Sequence, residues 1–183
     1  MKRKTAREIL ADSFRELAAQ MSVDRITVKA IAENCGYSQA TFYRQFRDKY
    51  DLIAWDYSRR VGEIMDDAGT PDRPWRDTLL DGAVYFRDHR DYLANLFLHT
   101  GGLDSFVRNM LETNYAHLRA CVARAMGNEP DAMTEMYLRV YCHGTVDLVC
   151  EWVLGLHDAE AAQLAEVFEN ALPAPLRRYL MPE

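Results

Sequence analysis

The chain has 183 residues, of which 49% are hydrophobic and 27% charged. That mixture suits one ordinary globular domain, or one with a small appendage, and excludes a mainly disordered chain. The net charge of −6 argues at first sight against a nucleic-acid partner, but residues 1–60 hold 12 Lys and Arg against 8 Asp and Glu, whereas residues 61–183 hold 10 against 20. A cationic head on an anionic body is the asymmetry to follow along the chain.

No apolar run approaches the ~20 residues that a membrane-spanning helix needs. The start is basic, but Arg7, Glu8, Asp12 and Arg15 interrupt the apolar core that a signal peptide requires. The expected location is the cytoplasm, with no membrane partner. Cys35, Cys121, Cys142 and Cys150 have no close-paired spacing, which excludes zinc knuckles and dithiol redox motifs. They read as small buried hydrophobes.

In chain order, every periodic segment is helical. Thr5-Ala6-Arg7-Glu8 forms a capping box, and Leu10, Phe14, Leu17 and Met21 give the following helix one apolar face. Thr27 caps a short helix with Val28, Ile31 and Ala32 inward, stopped at Cys35-Gly36, where glycine admits a left-handed turn. Ser38 caps the next short helix, about 38–45, with Phe42 and Phe46 inward. Small Ala32 and Ala40 are expected to allow close approach of this pair. Asp48 caps a longer helix through Leu52, Trp55 and Val61, which fades at Gly69-Thr70-Pro71. Longer helices follow: Trp75 to Arg90, Asp91 to Leu98, one capped by Asp104 and lasting to Met126, one reaching Leu154, and a last one ending before Pro173-Ala174-Pro175.

Two short helices separated by a glycine turn are the shape of a helix-turn-helix, whose second helix enters the major groove. The outer face of that helix offers Gln39, Thr41 and Arg44. Gln pairs bidentately with adenine, Arg with guanine, and the Thr methyl meets a thymine methyl. Thr27, Lys29, Tyr43 and Lys49 sit where such a motif uses phosphate-binding groups, and Tyr37 in the turn adds a further contact. Ser38, Ala40 and Gln45 complete the expected DNA-facing set. Lys2, Arg3 and Lys4 read as a loose arm.

With Thr27, Ile31-Ala32, Gly36, Ser38, Thr41-Phe42-Tyr43, Phe46, Lys49 and Leu52 in order and at matching spacing, residues 5–55 resemble the tetracycline-repressor (TetR) family of bacterial transcription regulators. Asp48-Lys49-Tyr50-Asp51-Leu52-Ile53 and Tyr85 to Leu93 are similar to the branch that includes dihydroxyacetone kinase activators. Cys35 and Tyr37 depart from the family's usual alanine and small aliphatic. The resemblance implies an all-α subunit: a helix-turn-helix domain over 1–50, a connecting helix over about 48–68, and an effector-binding and dimerisation domain over 70–183. It implies a homodimer on a palindromic operator of double-stranded DNA, an unidentified small-molecule effector, and no cofactor.

The long helix and the last helix are the expected dimer surface, with Gly144, Leu148, Trp152, Leu164 and Phe168 on their apolar stripes. Tyr85, Phe86, Phe97, Phe106, Met110, Tyr137, Tyr141 and His143 supply the stock of an effector pocket. His143, Asp147 and Glu151 share one helix face. That stripe reads either as a metal or polar-ligand site or, more plainly, as a solvated face, and no metal site is assigned. Cys142 and Cys150 beside it are candidate thiol sensors. No phosphate loop, dinucleotide fingerprint or serine elbow is present, so no catalytic residue is assigned and an enzyme is not expected. The alternative function is a helical adaptor with the same fold that no longer binds DNA.

Overall fold

A computed structural model describes residues 4–102 and 105–181. Among them the regular structure is helical: α1 (Ala6–Ala18), α2 (Val28–Asn34), α3 (Gln39–Tyr43), α4 (Lys49–Met65), α5 (Trp75–Asp88), α6 (Arg90–His99), α7 (Phe106–Met126), α8 (Ala132–Val153), α9 (Ala161–Ala171) and α10 (Ala174–Leu180), with a 3-10 turn at Val23–Arg25. The all-α expectation holds. None of the described helices is long and apolar enough to cross a membrane.

Packing divides the chain into two compact units. The first takes the described residues up to Arg59 together with Asp91–Asn109; the second takes Arg60–Arg90 and the described residues from Met110 onward. The first unit is therefore discontinuous in sequence, with residues 91–109 returning to it. On α6, Leu93 and Leu96 are buried, and the Tyr92 ring meets Phe14 of α1 with centroids 6.3 Å apart.

In the first unit, the Thr5 hydroxyl accepts from the Glu8 amide and the Glu8 carboxylate accepts from the Thr5 amide, closing the capping box. Leu10 and Phe14 are fully buried. The predicted stripe fails at its far end: α1 stops at Ala18, and Met21 lies beyond it, exposed. Ala18 and Val23 are buried in its stead, because the chain bends into the 3-10 turn. Polar ties fix α1 to α2. The Ser13 hydroxyl donates to the Ile31 carbonyl (2.7 Å), and Asn34 Nδ2 donates to Ser13 Oγ (3.0 Å) and Glu16 Oε2 (2.9 Å). Asp48 Oδ1 caps α4 by accepting from the Tyr50 and Asp51 amides. Inside α4, buried Asp56 pairs with Arg15 and, at 3.4 Å, with Arg59.

In the second unit, Trp75, Leu118, Val122, Leu138, Tyr141, Leu172, Leu176 and Leu180 form one core. The α5 and α9 helices pack together. The Tyr141 hydroxyl donates to the Phe168 carbonyl (2.9 Å), and Trp152 Nε1 donates to the Ala159 carbonyl (2.8 Å). The sequence pattern places the last helix end before Pro173, yet α10 starts there. Pro173 is its N-cap and Pro175 lies in its first turn, where a missing N–H costs nothing. Gly69 stands against this helix with φ +76, and an added Cβ would meet Leu180 backbone atoms at 3.1 Å. The Asp104 cap expected for α7 lies outside the described residues.

Candidate nucleic-acid interface

The α2 helix is opened by Thr27, whose hydroxyl accepts from the Ala30 amide (3.1 Å). Its end is a two-bond stop: the Tyr37 amide donates to the Ala32 carbonyl (2.8 Å) and the Gly36 amide to the Glu33 carbonyl (3.1 Å). Gly36 has φ +73 with open space around it, so conformation rather than room demands glycine. Ser38 then opens α3 by accepting from the Thr41 amide (3.2 Å).

Phe42 is fully buried and Phe46 nearly so, their rings 5.8 Å apart, with Trp55 5.6 Å beyond Phe46. This aromatic wedge holds α3 to the unit. Arg7, which the sequence reading did not single out, fastens the exit of α3. Its guanidinium donates to the Gln45 carbonyl (2.9 Å) and lies over the Phe46 and Trp55 rings.

The opposite face of α3 is open. Ser38, Gln39, Ala40, Tyr43 and Arg44 are exposed, and Tyr37, Thr41 and Gln45 are half-buried. Ala40 thus points outward, and only Ala32 serves as the small buried contact. The hydroxyls of Ser38 and Thr41 lie 3.1 Å apart, and Arg44 donates to Thr41 Oγ1 (3.0 Å), so the guanidinium is held along the helix surface. Lys29 is exposed, with Glu33 at 3.8 Å, a solvent-screened pair of little worth. Lys4 folds back on α1, 2.6 Å from Asp12. Lys2 and Arg3, the rest of the expected arm, lie outside the described residues.

Lys49 does something other than face a phosphate. Its Nζ donates to the carbonyls of Val23 (2.8 Å), Asp24 (3.1 Å) and Ile26 (2.9 Å). An ammonium has three protons, and all three are engaged. Burial pulls its pKa below the ordinary lysine value, outweighing the attraction of Asp24. The role is to hold the turn ahead of α2. Lys49→Ala is expected to cost about 1–3 kcal/mol of stability and to leave the salt dependence of DNA binding unchanged. A slope smaller by about one in a salt titration would restore the phosphate contact.

Three of the five residues expected at a dimer surface are core: Trp152, Leu164 and Phe168 are 5%, 4% and 6% exposed. Gly144 is exposed and Leu148 half-buried. The stripe had been drawn on the inner side of these helices. The eight pocket residues are spread over both units. Phe97 and Phe106 belong to the first, where Phe106 also meets Tyr57, and Tyr85, Phe86, Met110, Tyr137, Tyr141 and His143 to the second. His143 is exposed while Tyr141 is buried, so the two do not share a face.

Asp147 and Glu151 run along α8 with His143 near solvent, and Glu151 meets His157 Nε2 at 2.6 Å. Cys142 and Cys150 are buried, which pushes their thiols up to about 12 and about 11 and disfavours the reactive thiolate. Burial weighs against the thiol-sensor reading.

A capped helix, a glycine turn and a second short helix with its polar face outward define a helix-turn-helix motif. Residues 10–54, which hold the helix-turn-helix, match the family model of the bacterial regulatory proteins of the tetR family. No curated protein matches the chain in sequence. Among solved structures, the dihydroxyacetone kinase operon activator DhaS is 17% identical, with a TM-score of 0.69 over 96% of this chain and 98% of that one. A TetR transcriptional regulator from Rhodococcus sp. RHA1 is 15% identical, with a TM-score of 0.64 over 92% and 98%. Thermus thermophilus FadR, a TetR-family transcriptional repressor solved with lauroyl-CoA, is 15% identical, with a TM-score of 0.63 over 91% and 92%. Likeness at this level of identity establishes the fold.

Proposed function

We propose that the chain is a ligand-responsive, sequence-specific DNA-binding regulator that acts as a homodimer on a palindromic operator. The observation that carries this reading is the open polar face of α3, seated on the Phe42–Phe46 wedge and flanked by exposed Lys29. Gln39 and Arg44 read base edges, Thr41 meets a thymine methyl, and Ser38, Ala40 and Gln45 line the same approach. Thr27, Lys29, Tyr37 and Tyr43 bind phosphates and fix the register.

One such helix reads only a few base pairs. Two-fold pairing places a second copy one helical turn away, ~34 Å along the duplex. The surface that suits this pairing is the outer face of α8. Met136 is 55% and Val140 70% exposed, and Gly144 and Leu148 continue the line at four-residue spacing. Val167 on α9 is 50% exposed. The occupant is a second copy of the chain, which would meet this surface with the same surface. A small molecule is the second partner, held by the helical second unit; the FadR structure with lauroyl-CoA is a precedent for this fold taking a small ligand. No enzymatic role is proposed.

A mobility shift with the DNA flanking the chain's own gene, run across a salt series, tests the reading. Specific binding should exceed binding to scrambled DNA by at least ~1,000-fold. Lys29→Ala should lower the salt slope by about one without changing base preference. Equal affinity for operator and scrambled DNA at every salt concentration would leave only the helical adaptor.

A further inference from the structure

Residues 19–26 join α1 to α2 and contain no α-helix, only the 3-10 turn. This connector ends at Thr27, the cap of α2, so its shape decides where the helix-turn-helix begins. Backbone groups in such a segment lack helical partners and must find others. Two side chains supply six such bonds on the connector and its edge. Lys49 takes the Val23, Asp24 and Ile26 carbonyls from one helix. Asn95, from α6, supplies the rest. Its Oδ1 accepts from the Val23 amide (3.1 Å), and its Nδ2 donates to the carbonyls of Ala18 (2.8 Å) and Met21 (2.9 Å).

Asn95 uses both amide protons and its oxygen, and only an amide side chain can donate and accept in this way. It stands 74 and 77 residues in sequence from the carbonyls it binds. Leu93 and Leu96 on either side are buried, and the nearby Tyr92 ring meets Phe14 of α1, which ties α6 to the first unit. One turn further on, His99 Nδ1 lies 3.6 Å from Asp24 Oδ1, a second approach of the same helix to the connector.

We propose that Asn95 is a positioning residue for DNA recognition: from α6 it sets the connector, and through the connector the pose of α2 and α3. It touches no DNA itself. This inference rests on the DNA-binding reading above. Because the residue carries no charge, its loss should weaken operator binding without altering the salt slope. A phosphate-contacting lysine behaves in the opposite way.

The test uses the full chain and the operator, with Asn95→Ala, Asn95→Asp and Lys29→Ala compared at a temperature where circular dichroism shows each folded. Asn95→Ala is expected to bind about tenfold more weakly, with an unchanged salt slope, because a less ordered reading head must be ordered on binding. Its Val23 amide should exchange with deuterium faster than in the parent chain. Asn95→Asp keeps an acceptor for that amide, so Val23 protection should return while the Ala18 and Met21 carbonyls stay without their donor. Parent-like operator affinity in Asn95→Ala, or unchanged Val23 exchange, would overturn the inference. A parent chain that does not distinguish operator from scrambled DNA would overturn the functional reading instead, while Val23 exchange would still report the clamp.

Discussion

Val140→Glu is expected to leave a folded monomer whose operator affinity is lower by about 100-fold or more, the lower end of what linking two binding modules supplies. Val140 is 70% exposed on α8, so the substitution removes little that the subunit uses for its own stability. Met136, Gly144 and Leu148 share its face. An added Cβ at Gly144 would meet nothing within 4 Å, so the subunit's own packing does not require glycine there. The flat spot it leaves suits the close approach of a second helix. A carboxylate at residue 140 enters a two-fold interface twice, once from each copy, and must be desolvated near its own symmetry mate. Light scattering gives the mass, and a mobility shift gives the affinity. A dimer of parent mass would show that the chain pairs elsewhere. Trp152→Ala cannot serve this test, because Trp152 is buried and its loss acts on folding.

That contrast shows why the dimer surface was hard to read from sequence. The α8 helix carries apolar residues on more than one face: Leu138, Tyr141, Val146 and Val149 face the core, while Met136 and Val140 face out. Apolar spacing on such a helix does not say which stripe turns inward. The helix-turn-helix was legible because its signals are local. Two hydroxyl caps, a glycine at positive φ and two aromatics four residues apart each act within a few residues of themselves. Lys49 was legible as a cation at the start of a helix, but its three carbonyl partners lie 23 to 26 residues back. No local pattern announces Asn95 or Arg7, whose partners are farther still. Pro173 and Pro175 were read as a stop, although the same residues suit a first turn, and only the packing of Leu176 and Leu180 decides between the two.

Asp56→Ala is expected to destabilise the first unit by about 3–5 kcal/mol, the usual cost of leaving buried charge without its counter-ion. The Asp56 side chain is 4% exposed, and Arg15 and Arg59 reach it from α1 and from α4 itself. Burial works against the charge on Arg15, but its bonds to Asp56 and Asp12 outweigh this and raise its pKa above the ordinary arginine value. Without the Asp56 carboxylate, Arg15 and Arg59 lose the counter-ion they share, and Arg15 keeps Asp12. For a chain of this size the melting temperature should fall by roughly 10 °C. The double variant Arg15→Met/Asp56→Leu should recover part of the loss, since one of the two guanidinium groups leaves with the carboxylate while Arg59 stays. Thermal melts of the parent, single and double variants close the cycle. A loss below about 1 kcal/mol in Asp56→Ala would mean that water reaches the cluster and screens it as at a surface. The effect on DNA binding should follow the folded fraction alone, because none of these side chains lies on the open face of α3.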